Sequence, residues 1–350
     1  MDERFATPKS MKKVILRVIR TTLLQLGSAT KVELSKLLGI SFPTVSKIIA
    51  QMERDGEVYE IGLDDSSGGR RAKRYEFNPE HMLGLAVFLE ENETVYAVFN
   101  CVGEVKEHGT RASVFQDAFN SLTELLHNIL LEFPKITSIA IGVPGAVNNG
   151  RIFHIPNYQS FHDFELKTYF EDLFSIPVVV ENDMNAAVLG FQKRSGGEDK
   201  QSLVYLYSGK NGPGAGILIN GDVVRGSTFF TGEISFMPLY DNQNFHQAMY
   251  QGNKKNTENP TIHEKHEIQA ISRLIASLVA IINPHTVIFS KEEMNQTVLN
   301  RIAIESAKYV PKEHLPEFIM SDWKQDYLHG LQRLAIERMI TGIRIVDELE

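Results

Sequence analysis

Apolar residues recur at helical spacing from Val14 to Leu26: Val14, Ile15, Val18, Ile19, Leu23 and Leu26 share one face. Gly27 closes this helix. The stretch Thr30-Lys31-Val32-Glu33 reads as a capping box, in which Thr30 starts a short second helix and Glu33 reaches back. Leu34, Leu37 and Leu38 give that helix one apolar face. After a tight turn at Gly39-Ile40-Ser41, a third helix is predicted, capped by Ser41 with Pro43 in its first turn. Val45, Ile48, Ile49 and Met52 stand at i, i+3, i+4 and i+7, which leaves Thr44, Ser46, Lys47 and Gln51 on the polar face. Glu57 to Ile61 and Lys73 to Asn78 then alternate with period two, so the intervening GLDDSSGGRRA forms the tip of a hairpin.

The pattern changes at Met82. Met82–Leu89, Thr94–Asn100 and a stretch after Val102-Gly103 read as a meander of strands. A helix over Phe115–Leu131, a strand over Ile136–Val143 and the loop GVPGAVNNG follow, and a second apolar strand ends at Val180. A further unit opens with Leu203–Ser208 and a hairpin turn at Asn220-Gly221. It continues with helices over 264–282, 291–308 and 326–347 and strands over 286–290 and 317–320. The polar stretch from Tyr240 to Glu258 reads as an exposed loop. A meander followed by αβ alternation, met twice, predicts two α/β lobes with a cleft between them.

Charge divides the chain where the pattern does. Residues 1–78 hold 14 Lys and Arg against 10 Asp and Glu, and the remainder holds 22 against 34. A basic head on an acidic body fits a head that meets a polyanion. Short polar and basic side chains on the third helix suit base edges and phosphates, and arginines at a hairpin tip suit a narrow minor groove. The candidate DNA contacts are therefore Ser41, Thr44, Ser46, Lys47, Arg70, Arg71 and Lys73. A small helical bundle with a solvated charge run is the plain alternative. Chain length suits two or three domains, and no apolar run is long enough to span a bilayer. The first residues lack the apolar core of a signal peptide, and the single Cys101 cannot form an internal disulfide, so the expected location is cytoplasmic.

The head, through TKVELSKLLGISFPTVSKIIAQMERDGEVYE and SGGRRAKRYEFNPE, resembles the DNA-binding domain of ROK-family (repressor, open reading frame, kinase) transcriptional regulators. The body resembles the sugar-kinase-like part of the same family. The matching segments are GVPGAV from Gly142, PNYQ from Pro156, ENDMNAA from Glu181, GPGAG from Gly212, GDVVRGSTFFTGEIS from Gly221, and INPHTVIFS. The resemblance implies an α/β fold: an N-terminal winged helix-turn-helix followed by a two-lobed, actin-like (ribonuclease-H-like) ROK domain. The implied boundaries are 1–78 for the head, 79–200 for the first lobe and 201–350 for the second, with the last helix packing back on the first. It also implies that Asn182, Asp183 and Glu233 contact a ligand in the cleft, Asp183 standing where family kinases place their catalytic base.

The chain departs from the kinase pattern in two places. The family's first phosphate loop reads like DIGGTK, and here AVFLEE, Ala86 to Glu91, stands in its place. Bulky Phe88 and Leu89 replace two glycines, and Glu90 and Glu91 would repel phosphate. A histidine and a cysteine cluster that bind structural zinc in the family are also missing: Phe236 stands at the histidine, and no cysteine follows. His263 and His266 read as surface residues. No catalytic residue, metal or cofactor is expected. The reading is a transcriptional regulator, a repressor, whose partners are double-stranded operator DNA and a sugar or sugar phosphate effector, assembled as a homodimer or dimer of dimers. The competing readings are a sugar kinase with an added head, and a dimeric scaffold that needs no ligand.

Overall fold

A computed structural model describes residues 8–63, 71–116, 120–155, 161–196, 200–209, 212–250, 262 and 264–341. The head runs α1 (Pro8–Leu26), β1 (Ser28–Thr30), α2 (Lys31–Leu38), α3 (Phe42–Arg54), β2 (Val58–Leu63) and β3 (Lys73–Phe77). The capping box forms as the spacing predicts. Glu33 N–H donates to Thr30 Oγ1 at 3.1 Å, and Thr30 N–H donates to Glu33 Oε2 at 2.7 Å. Gly39 ends α2 in the left-handed region at φ +63°. Val45, Ile48, Ile49 and Met52 are all buried.

Two details of the head differ from expectation. Ser41 makes no side-chain cap on α3; its hydroxyl meets Thr44 Oγ1 at 2.8 Å, while its carbonyl takes the N–H of Val45. And the hairpin gains a third strand, because β1 pairs antiparallel with β3 and sets buried Ala29 opposite Tyr75. Three residues carry too little period to announce a strand. The hairpin tip over 64–70, and with it Arg70, lies outside the described residues.

The body continues with β4 (Leu83–Leu89), β5 (Glu93–Asn100), β6 (Val105–Ala112), α4 (Asn120–Glu132), β7 (Ile136–Val143), β8 (Ala146–Asn148), β9 (Arg151–His154), α5 (Leu166–Phe174), β10 (Val178–Asn182) and α6 (Asp183–Ser195). Then come β11 (Leu203–Tyr207), β12 (Gly214–Ile219), β13 (Asp222–Val223), β14 (Pro238–Tyr240), β15 (Gln243–Asn244), α7 (Phe245–Tyr250), α8 (Lys265–Ile281), β16 (Thr286–Ser290), α9 (Gln296–Ser306), β17 (Glu317–Ser321) and α10 (Trp323–Thr341). One five-stranded sheet has the order β10-β7-β4-β5-β6 and the other β13-β12-β11-β16-β17.

Of the expected helix over 115–131, Asn120–Glu132 is described as α4, and Val114–Gln116 is a short 3-10 turn. The expected helix from 291 starts at Gln296, because Asn295 Oδ1 takes the Val298 N–H at 3.1 Å and sets the cap there. The stretch read as an exposed loop contains α7, whose Phe245, Ala248 and Met249 are buried. Their i, i+3, i+4 spacing was visible among the polar residues, as was the reciprocal cap between Asn244 and Gln247. The glycine-rich loop after β7 closes the β8–β9 hairpin on Asn149 and Gly150, at φ +50° and +92°.

The layers explain the cleft. Central strands are buried on both faces, so their side chains alternate between two cores: Leu85 and Val87 face α4 and α5, while Ala86 and Phe88 face inward. Helices α6 and α10 fill the inner layer with an exchange. Helix α6, which follows the first sheet in sequence, packs on β11 and β12 of the second; α10, which follows the second, packs on β4 and β7 of the first. The two helices cross at glycines. A Cβ on Gly190 would lie 1.8 Å from the carbonyl oxygen of Asp326, and one on Gly330 1.8 Å from that of Ala186. Nearby, fully buried Asp326 takes bonds from Arg194 of α6, Tyr205 of β11 and Ser321.

The head is joined to this inner layer. Its core residues Ile19, Leu23 and Ile49 belong to one apolar cluster with Met82, Phe99, Ile336 and Met339. Arg20 of α1 is paired with buried Glu57 at the foot of β2 and donates to the carbonyl of Ile340 in α10 at 3.4 Å.

Candidate functional site

A cleft of about 490 Å³ opens where β4, β7 and β10 end opposite the turns of the second sheet. Asn182 is the last residue of β10 and the N-cap of α6, so the strand end and helix start place Asp183 at the floor. Asn182 Oδ1 takes the N–H groups of Met184 and Asn185, both at 3.0 Å. Its amide donates to Gly145 O at 3.0 Å and to Asp183 Oδ1 at 2.8 Å. Every hydrogen bond Asn182 can readily make is thus spent inside the protein. It holds Asp183 and the Gly145 loop in place while itself lining the cleft.

Asp183 Oδ1 also takes the Met184 N–H at 2.8 Å. Burial pushes its carboxyl up to about 7, against the pull of the Met184 N–H and the Asn182 amide, and the nearby Glu233 carboxylate adds to the rise. Glu233 itself is raised by burial. Both line the cleft. Beside them, buried Glu181 takes the Asn185 amide at 3.0 Å and pairs with Arg225 of the second half, tying the two sides of the cleft together. Arg225 was quoted within GDVVRGS, yet nothing in the sequence marks it as the partner of Glu181.

The other half of the cleft is built from residues that sequence reasoning passed over. Tyr207 stacks on Trp323 with ring centres 4.4 Å apart and planes 13° apart, and Phe88 stacks on Tyr327 at 4.9 Å. Phe88 therefore points into the inner core and Leu89 into the outer one, so neither side chain obstructs the cleft. This corrects the expected cause of the lost phosphate loop. Strand β4 instead runs straight through to Leu89, and a tight turn closes when Glu90 N–H donates to Glu93 O at 2.8 Å. Glu90 and Glu91 line the space beyond it. Burial pushes Glu90 up to about 8, with Asp183 contributing. Across the cleft, Glu293 takes the N–H of Ser208 at 2.8 Å and of Gly209 at 3.0 Å. A carboxylate of the chain thus occupies the backbone donors of the glycine-rich turn that a phosphate would need.

These raised carboxyls carry a pH signature. From about pH 4 to about pH 8 the folded protein retains protons that the unfolded chain has released, so ligand-free stability falls as pH rises across that window. Thermal melts of the ligand-free protein from pH 5 to pH 8.5 are expected to show this fall, and a flatter profile in Asp183→Asn combined with Glu90→Gln. A profile of equal slope in the double variant would place the protons elsewhere.

On the head, Thr44 and Ser46 are half-buried at the rim of the α3 outer face, and Lys47 is exposed on it. Gln51 is engaged by Asp55 and Arg54. Arg71 is exposed at the start of the returning strand, and Lys73 is bridged across the hairpin to Glu60. The structure thus gathers Ser41, Thr44, Ser46 and Lys47 on one helix and leaves Arg71 and Lys73 on the hairpin. Among the described residues no cluster of three His, Cys, Asp or Glu side chains could hold a metal. His266 binds the carbonyl of Met249, and His263 lies outside the described residues. No described helix is long and apolar enough to cross a membrane.

Comparison with known proteins agrees with this architecture. The ROK family model matches residues 91–255. The xylose repressor of Bacillus spizizenii is 25% identical over 237 residues, which cover 65% of this chain and 61% of the repressor. The beta-glucoside kinase of Listeria monocytogenes is 37% identical over 110 residues, 31% of this chain and 37% of the kinase. The match thus spans less than two thirds of the length of either relative. A solved ROK family transcriptional regulator, a homolog of the E. coli MLC protein, superposes with a TM-score of 0.67 at 17% identity, covering 93% of this chain and 99% of its own. Residues 91–255 are thus similar to the ROK family domain, and the fold is that of the solved regulator.

Proposed function

We propose that the protein is a sugar-responsive transcriptional repressor, with a winged helix-turn-helix over 1–78 and a kinase-like body, 79–200 and 201–350, that senses and does not phosphorylate. The observation that carries this reading is the joint between cleft and head. Helix α10 contributes Trp323 and Lys324 to the cleft at one end, and at the other Ile336, Met339 and Ile340 meet the head. A ligand that prefers one seating of α10 then shifts the pose of the head by its difference in affinity between the two seatings. Relatives named as a xylose repressor and a beta-glucoside kinase support a carbohydrate effector. Asp183 and Glu233 are its hydroxyl acceptors, with Asn182 holding Asp183. The base that a kinase would use remains, but Glu293 sits on the backbone donors of the glycine turn and Glu90 and Glu91 face the space a phosphate donor would enter. ATP turnover with a hexose or pentose that vanishes in Asp183→Asn would overturn this reading.

Operators read by such heads are two-fold symmetric, which makes a homodimer or dimer of dimers the working assembly. Ser41, Thr44, Ser46 and Lys47 approach the major groove, and Arg70 and Arg71 the minor groove or backbone. Lys73 joins them by exchanging Glu60 for a phosphate, a small cost for an exposed pair. On genomic fragments recovered with the intact protein, Thr44→Ala with Lys47→Ala is expected to weaken binding by about tenfold or more and to lower the salt slope by about one. Equal affinity and slope in mobility-shift titrations would remove α3 from the interface.

A further inference from the structure

The half of the cleft that a kinase would give to its phosphate donor is neither filled nor neutral. Among the described residues, its cations are already committed: Lys324 is bridged to Glu93, and Arg225, nearer Asp183, to Glu181. Glu90, Glu91 and Glu292 line it as well. The backbone donors of Ser208 and Gly209 are held by Glu293. An anionic group entering here meets Glu91 and Glu292 and finds its natural donors taken, so its desolvation is not repaid.

The same half carries polar atoms that await a partner. Trp323 lines the cleft and is 2% exposed, yet its indole N–H has no hydrogen-bond partner. Glu90 lines the cleft too, and its Oε1, shut off from solvent, is also unpaired. Native proteins seldom leave such groups unsatisfied. A buried donor and a buried acceptor left unpaired in the wall of one pocket are matched, once the wall gives way to a ligand, by a group that both donates and accepts, which is a hydroxyl. Tyr207, which also lines the cleft, stacks flat on Trp323. An apolar face flanked by hydroxyl-directed polar groups suits a ring that is apolar on its faces and polar at its edge. The charge of Asp183 is among the influences on Glu90, so this half adjoins the floor already described.

We propose that Tyr207, Trp323 and Glu90 form a second hydroxyl-recognising subsite, so that the effector is an uncharged glycoside spanning two rings, and phosphorylated sugars are excluded. The proposal rests on the reading of the cleft as a sugar site. A volume of about 490 Å³ lies within the range of pockets that enclose a ligand of this size.

The test is calorimetric titration of the intact protein with matched pairs, xylose against xylobiose and glucose against cellobiose, with glucose 6-phosphate as the anionic arm. Trp323, the only tryptophan in the chain, gives a second readout by fluorescence. One disaccharide is expected to bind at least tenfold more tightly than its monosaccharide and to shift the Trp323 emission, with glucose 6-phosphate weaker than glucose. In Glu90→Leu and in Tyr207→Ala the disaccharide loses at least tenfold and the monosaccharide less; Glu90→Leu serves if Tyr207→Ala does not fold. Equal affinity within each pair overturns the second subsite alone, as does an advantage that survives both variants. Tight binding of the phosphate overturns the exclusion. Failure of every sugar to bind overturns the sugar reading of the cleft, and this proposal with it.

Discussion

Gly330→Ala is expected to lower the thermal midpoint by about 5–10 °C or to leave no folded protein. Two effects oppose each other at this position. Replacing glycine by alanine inside a helix favours folding by about 1 kcal/mol through propensity and the unfolded chain. The new methyl, however, would sit 1.8 Å from the carbonyl oxygen of Ala186, and backbone cannot swing aside as a flexible side chain can. Separating α6 from α10 to relieve it loosens Tyr327 against Gly142 and Asp326 among its three partners. Overpacking of this kind costs about 1–3 kcal/mol and more where the neighbour is rigid, so the contact outweighs the propensity. The check is a melt followed by Trp323 fluorescence, since α10 carries that residue. A midpoint within 2 °C of the parent would mean that the crossing has slack the distances deny.

Arg20→Met is the second large effect. It leaves Glu57, whose side chain is 5% exposed, without its cation. Breaking a buried pair from one side costs about 3–5 kcal/mol, because the remaining charge keeps its desolvation cost and loses its compensation. The cost falls on the head and its seat on α10, so the head is expected to unfold before the body in denaturant, with loss of operator binding and early proteolysis of α1–α3. Adding Glu57→Met removes the orphaned charge and is expected to recover most of the stability. If the double variant is no more stable than Arg20→Met alone, lost packing and not the stranded charge explains the damage.

Much of this architecture could be read from residue spacing because local rules and global packing agree there. The capping box at Thr30, the buried stripe of α3, the Asn220-Gly221 turn and the strand over 286–290 each depend on near neighbours. Asp183 and Glu233 stand in quoted motifs and do meet in the cleft. What could not be read depends on residues far apart in the chain. Arg225 meets Glu181 and Arg194 meets Asp326 across separations that no periodicity encodes. Phe88 looked like an obstruction because its type was known and its direction was not; the alternation of β4 sends it into the core. Trp323 was invisible as a cleft residue for the same reason, since it stands at the start of a helix expected three residues later.

The exchange of α6 and α10 between the sheets has a consequence for synthesis. Chain order delivers the first sheet to the ribosome exit long before α10, yet α10 covers that sheet's inner face and supports the head. Until Trp323 to Ile340 have emerged, β4 and β7 lack their main cover on that side, and Arg20 lacks the carbonyl of Ile340. A prematurely terminated polypeptide would therefore own the whole head and still lack its seat on α10. The late helix thus completes head and cleft together: a molecule without it lacks both Trp323 in the cleft and Ile336 and Met339 beneath the head.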